Sequence, residues 1–182
     1  GNAGNNVLMG YNPEQQHLED DPGGTFSKGD LIGPKGTGAD AISGGAGNDT
    51  IFGGDGNDNL AGGAGRDVFA FNSVLDAATN VDAISDFDVS DDVIALSGEI
   101  FSKLSVEESG WFGNWASENF RVGGATDPND YILYDSATGA LYYDADANGL
   151  GTAVKFATLS PGLQLSDANF RVYASDADLI GG

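Results

Sequence analysis

The chain has 182 residues, long enough for one sizeable domain or two small ones sharing a core. Its 7 basic and 28 acidic residues give a net charge of −21, which argues against nucleic acid and anionic membrane surfaces as partners, because both require clustered Lys and Arg. There is no Cys, so disulfides and thiolate metal sites are excluded, and no apolar run approaches the ~20 residues of a membrane span.

Residues 1–9, GNAGNNVLM, open a nine-residue pattern in weak form, with Gly1, Gly4 and Leu8 in place and Asn6 where Asp recurs later. An opening on Gly, inside a repeat and without a cleavable leader, is the expectation for a piece of a larger protein. An irregular insert rich in turn formers, GYNPEQQHLEDDPGG, occupies 10–24. Residues 25–33 keep Asp30 and Ile32 without the glycines, and Pro34 stands out of register. Residues 35–43, KGTGADAIS, keep Gly36, Gly38, Asp40 and Ile42. Three intact units follow: GGAGNDTIF at 44–52, GGDGNDNLA at 53–61 and GGAGRDVFA at 62–70. Each has Gly at its first, second and fourth places, Asp at the sixth and a large apolar residue at the eighth.

A fixed period of this kind marks a unit that cannot bury its apolar face alone and stacks on copies of itself. Glycine pairs permit positive φ and let adjacent loops approach closely. The residues after each Asp read as a strand of about three residues, whose side chains alternate between faces. Leu8, Ile32, Ile42, Ile51, Leu60 and Phe69 are therefore expected inside. The seventh (Ala41, Thr50, Asn59, Val68) and ninth positions (Ser43, Phe52, Ala61, Ala70) are expected outside. They form no repeated ladder, which argues against an ice-binding face.

If two units complete one coil, loops on the same edge lie 18 residues apart, pairing Asp40 with Asp58 and Asp49 with Asp67. Calcium takes about six to eight oxygen ligands, carboxylate and carbonyl together, and stacked Gly turns beside Asp supply that mixture. The candidate ligands are Gly36, Gly38 and Asp40; Gly45, Gly47 and Asp49; Gly54, Gly56 and Asp58; Gly63, Gly65 and Asp67; with Asp30 upstream. A Gly/Asp-rich flexible linker is the plain alternative, and collagen is excluded because Gly does not fall at every third place.

These units resemble the GGxGxDxUx repeats of RTX proteins, whose nonapeptide is a recognised calcium-binding pattern. The resemblance implies a right-handed parallel β-roll with several calcium ions between its turns. The resulting fold expectation is all-β: a calcium-bound roll over 1–70, with its insert at 10–24, followed by a β-rich, sandwich-like cap over 71–182.

Downstream, VFAF reads as a strand that ends the coil, and VDAISDFDVSDDVIALS as two strands around an acidic turn. This stretch resembles the segment after the repeats in serralysin-type secreted proteases. Asp82, Asp86, Asp88, Asp91 and Asp92 are either one further calcium site or a solvated turn; Asp86 and Asp91 are taken as ligands. EIFSKL reads as a short helix, and GWFGNWASENF holds Trp111 and Trp115, either a glycan- or partner-binding patch or a core that closes the coil. YILYDSATGALYY reads as a hairpin turning at Ser-Ala-Thr-Gly. In DADANG, Asp144, Asp146, Asn148 and Gly149 match the opening of an EF-hand loop, but Lys155 replaces its last Glu and the flanks read as strands. That leaves a turn-based calcium site at Asp144, Asp146 and Asn148 as the expectation. The tail, GLQLSDANFRVYASDADLIGG, resembles the carboxyl-terminal end of RTX proteins exported by type I secretion, although Asp178, Leu179 and Ile180 fit that ending only partly.

No catalytic residues are assigned. His17 is the single His and lies in the insert, and without Cys or an HExxH pattern neither a zinc peptidase nor a His-based triad can be assembled. The reading is a non-catalytic, calcium-folded module of a bacterial secreted or cell-surface protein. Its partners are then calcium, the type I secretion machinery and an upstream passenger domain. The alternative is the end of an adhesin or surface-layer protein that binds a glycan or protein surface.

Overall fold

The computed structural model describes residues 7–9, 38–104, 117–176 and 179. Its chain passes back and forth between two facing sheets. One contains, in order, β1 (Val7–Met9), β3 (Thr50–Phe52), β5 (Val68–Phe71), β7 (Val93–Ser97) and β12 (Phe170–Tyr173), parallel throughout. The other contains β2 (Ala41–Ala46), β4 (Asn59–Ala64), β6 (Asp82–Ile84), β11 (Val154–Thr158), β10 (Ala140–Tyr143), β9 (Ile132–Asp135) and β8 (Phe120–Val122). Here β2, β4, β6 and β11 are parallel, β10 is antiparallel to both neighbours, and β8 and β9 are parallel.

Over the repeats this is a parallel β-roll with the 18-residue step read from the sequence. Ala41 stands opposite Asn59 in one sheet and Thr50 opposite Val68 in the other. Leu8 stands opposite Ile51, so β1 adds directly to the edge of the intact array. Asp40, Asp49 and Asp58 each offer their carbonyl to the N–H at the start of the strand one turn on.

The coil does not end at VFAF, against the expectation. β6 adds to β4 with Asn59 opposite Ala83, and β7 adds to β5 with Val68 opposite Val93. The step between equivalent Asp residues widens to 24 and 25 residues, because 72–81 and 85–92 are longer than nonapeptide turns. The two strands of VDAISDFDVSDDVIALS therefore lie in opposite sheets, and both sheets run on across residue 70. The Ser-Ala-Thr-Gly hairpin forms as read, with Asp135 opposite Ala140 and Gly139 at φ 78°. EIFSKL is a run of turns, not a helix: the Ser97 carbonyl accepts from the Ile100 and Phe101 N–H groups. Six residues gain little by propagating a helix, whereas tight turns place both Phe101 and Leu104 in the core. From the tail, β12 enters the five-stranded sheet with Phe170, Val172 and Tyr173 fully buried.

Ile51, Leu60 and Phe69 fill the interior as their eighth places require, with Ile42 packed against them. As the turns lengthen, the space between the sheets takes aromatic side chains. Phe156 packs edge-on against Phe71 and Phe101 at ring separations of 5.1 and 5.2 Å. The ninth places depart from expectation on the five-stranded sheet. Phe52 and Ala70 are buried with Ala95 and Tyr173 in a second cluster on its outer face, where Leu179 of the tail packs. Gly36, Asp30, Ile32, Pro34, the insert with His17, Trp111, Trp115, Asp178 and Ile180 lie outside the described residues.

Candidate metal centre

Each glycine of a repeat has its own reason to lack a side chain. The second and fourth adopt positive φ, as at Gly63 (98°) and Gly65 (137°). A Cβ on either would run into the carbonyl oxygen of Gly45 or Gly47 one turn back. The first glycine has ordinary φ, but a Cβ on Gly44 or Gly62 would strike Oδ2 of Asp49 or Asp67. Stacked carbonyl oxygens and an Asp carboxylate thus meet in the space that glycine leaves open.

The Asp residues form two ladders, one along each edge where the chain crosses between sheets. On the first edge Asp58 Oδ1 accepts the Asp40 N–H at 2.8 Å and Asp82 Oδ1 accepts the Asp58 N–H at 3.1 Å. On the second, Asp67 Oδ1 accepts the Asp49 N–H and Asp92 Oδ1 the Asp67 N–H, both at 2.9 Å. Asp49, Asp58 and Asp67 are each 1% exposed, and Asp82 and Asp92 are 5% exposed. Asp58 Oδ2 and Asp67 Oδ2 are buried and accept no hydrogen bond. Two such carboxylates would be costly to keep charged without a compensating ion.

Proton affinities carry the same signature. Burial pushes the Asp82 carboxyl up to about 7, against the opposing pull of the Asp58 N–H. Burial pushes Asp67 up to about 6, with the charges of Asp92, Asp49 and Asp86 adding to it. Asp58 and Asp92 are raised for the same first reason. Burial disfavours the charged forms of these carboxyls, and a hard divalent cation beside them would favour those forms again.

The donor set fits calcium. No three His, Asp or Glu side chains converge as a metal cluster among the described residues. The glycine turns offer backbone carbonyl oxygens beside single carboxylates, and calcium accepts carbonyl oxygens readily and tolerates irregular coordination. Gly38 and Gly47 present their carbonyls to the turns of Gly56 and Gly65, with Asp40, Asp49, Asp58 and Asp67 beside them. Gly45 does the same toward Gly63, and Gly54 at φ 95° occupies the corresponding place in the middle unit.

The downstream candidates are dispersed. Asp86 belongs to the second edge, where its two oxygens accept the Gly62 and Gly63 N–H groups at 2.9 Å. Asp91 is exposed in the turn before β7. Asp82 lies on the first edge and Asp92 on the second, so the five acidic residues do not make one site. Asp144, Asp146 and Asn148 share the turn between β10 and β11, which rules out EF-hand helices there. Asp144 is buried and Asp146 Oδ2 accepts the Gly151 N–H at 2.9 Å. That bond holds the Asp146 carboxyl low, while burial raises Asp144. Asn148 reaches the Thr126 carbonyl.

Sequence reasoning missed the fifth position of the repeat. Asn48 Oδ1 accepts the Arg66 N–H at 2.9 Å and Asn57 Oδ1 accepts the Val81 N–H at 2.8 Å, so these amides tie each turn to the next. The signal was present, since Asn fills that place in two of the three intact units.

Residues 36–69 match the family described as RTX calcium-binding nonapeptide repeat (4 copies). No curated protein matches the chain. Among solved structures, the solution structure of the AlgE6R3 subunit from the Azotobacter vinelandii mannuronan C5-epimerase is similar at 22% identity, covering 93% of this chain and 79% of that one, with a TM-score of 0.41.

Proposed function

Residues 36–69 being RTX calcium-binding nonapeptide repeats, we propose that the chain is a non-catalytic module that folds on extracellular calcium and so supports the export, folding and stability of a larger secreted bacterial protein. The observation that carries this reading is the pair of buried, donorless oxygens at Asp58 and Asp67. Without an ion they oppose closure of the coil; with one they favour it. Extracellular calcium modules bind at about 10⁻⁴–10⁻³ M, and at 100 times its dissociation constant each ion stabilises the fold by about 2.7 kcal/mol. In a low-calcium cytosol the same carboxylates and the entropy of the Gly-rich turns favour the open chain that an export channel needs. The resemblance of the tail to type I export signals supports that route. A calcium titration followed by far-UV circular dichroism tests the proposal. Strand signal is expected to appear cooperatively, and strand content that stays unchanged in excess chelator would overturn it.

A further inference from the structure

A cleft of about 510 Å³ opens in the aperiodic half of the molecule, and none of the residues lining it belongs to the repeat segment 36–69. Buried Tyr143 lines it together with Ile100 and Val154. The Tyr143 ring packs edge-on against Phe101 at 5.1 Å, and its hydroxyl accepts the Lys103 N–H at 2.9 Å. Val74 and Leu75 reach the cleft from the segment 72–81, and Asp146 and Gly151 from the turn between β10 and β11. Both loops are held by their own hydrogen bonds. Asn80 Nδ2 donates to the Val74 carbonyl at 2.7 Å, and Asp76 Oδ1 accepts the Ala78 and Thr79 N–H groups. Asp146 Oδ2 accepts the Gly151 N–H at 2.9 Å. The cleft is therefore formed before anything enters it, which lowers the ordering cost of binding.

Its chemistry is apolar with a negative edge. The charged residues that line it are Glu99 and Asp146, both exposed. Glu99 forms no salt bridge among the described residues. A chain of net charge −21 adds a field that draws cations toward it. Val74, at the cleft, is 76% exposed, and Leu150, next to Gly151, is fully exposed. The volume is that of a small-molecule site. A stable protein interface takes about 800 Å² from each partner, whereas the apolar surface here is confined to the cleft and two side chains beside it.

We infer that this cleft binds a small organic cation with an apolar body, of the aryl- or alkylamine class. The apolar part lies against Tyr143, Ile100 and Val154, and the ammonium group meets Glu99 and Asp146 at the edge. Glu99 carries the test, because Asp146 also supports its own turn.

Amide NMR spectra of the full chain in saturating calcium, titrated with phenethylammonium, test this. Saturable shifts are expected at the Val74, Ile100 and Thr152 signals. Phenethyl alcohol has the same shape without the charge and is expected to bind about ten-fold more weakly, having lost both charge contacts. Ethylammonium, without the ring, is expected to leave these signals unmoved. Glu99→Gln is expected to weaken the amine about two- to five-fold, the change for one exposed charge contact. Ala145→Trp fills the cleft from an exposed lining position and is expected to abolish binding; should it misfold, Glu99→Gln still decides. Equal affinity for amine and alcohol overturns the inference, as do shifts spread along the acidic edges of the roll. Tighter binding of an acetylated Phe-Lys amide than of the free amine overturns the small-molecule assignment in favour of a protein partner.

Discussion

Asp67→Asn separates a metal ligand from a structural carboxylate, because its effect is expected to change sign with calcium. Oδ1 of Asp67 accepts the Asp49 N–H at 2.9 Å, which an Asn side chain can reproduce. What Asn removes is the charge, carried by a residue 1% exposed whose Oδ2 has no donor. Burial raises that carboxyl to about 6, so holding it ionised near neutral pH costs the metal-free fold about 3 kcal/mol, at 1.36 kcal/mol for each tenfold change in proton affinity. In chelator Asp67→Asn is therefore expected to be the more stable form by up to about that amount. In calcium it loses the ion's contribution, about 2.7 kcal/mol at 100 times the dissociation constant. The assay is far-UV circular dichroism along a urea titration in calcium and along a trimethylamine N-oxide titration in chelator, since the osmolyte favours the compact state. Equal destabilisation in both media would refute the reasoning and leave Asp67 a purely structural residue.

Four further outcomes follow from the same geometry. Asp67 and Asp82 have folded-state pKa values raised to about 6 and 7. Their contribution to metal-free stability is therefore fully present below about pH 4 and lost as pH rises through 6–7; a metal-free stability difference between the parent chain and Asp67→Asn that stays constant over this window would contradict the assignment. Calcium affinity should run the opposite way, weakening on acidification from pH 7.5 to 5.5 in calorimetry, because protons compete for the same oxygens. Gly65→Ala should cost at least about 2 kcal/mol in calcium, from strain at φ 137° and collision with the Gly47 carbonyl, whereas Gly124→Ala meets nothing within 4 Å and should be nearly neutral; equal unfolding midpoints would sink this. Asp49→Ala should weaken calcium binding more than Asp76→Ala, whose exposed carboxylate serves only its own turn through the Ala78 and Thr79 N–H groups, and equal calorimetric isotherms would argue against the ladder.

The roll was legible because its determinants are local. Gly44–Asp49 and its copies contain the turn conformation, the carbonyl oxygens and the carboxylate within six residues, and the 18-residue step follows from two units per coil. Interior placement of Ile51, Leu60 and Phe69 needs only strand alternation after each Asp. Membership of Asp82 and Asp92 in the ladders was hidden. Steps of 24 and 25 residues depend on how the aperiodic segments 72–81 and 85–92 fold, and no period announces that. Burial of Phe52 and Ala70 was hidden for a related reason. Their outer face is closed by Tyr173 and Leu179, and the nearby bond from Asn72 to Asp176 spans 104 residues of chain. The repeated hexad specified where each oxygen points, because turn geometry is set by neighbouring φ angles. Which face of the five-stranded sheet meets water was decided only when the end of the chain returned across it, because burial depends on contacts that sequence proximity does not encode.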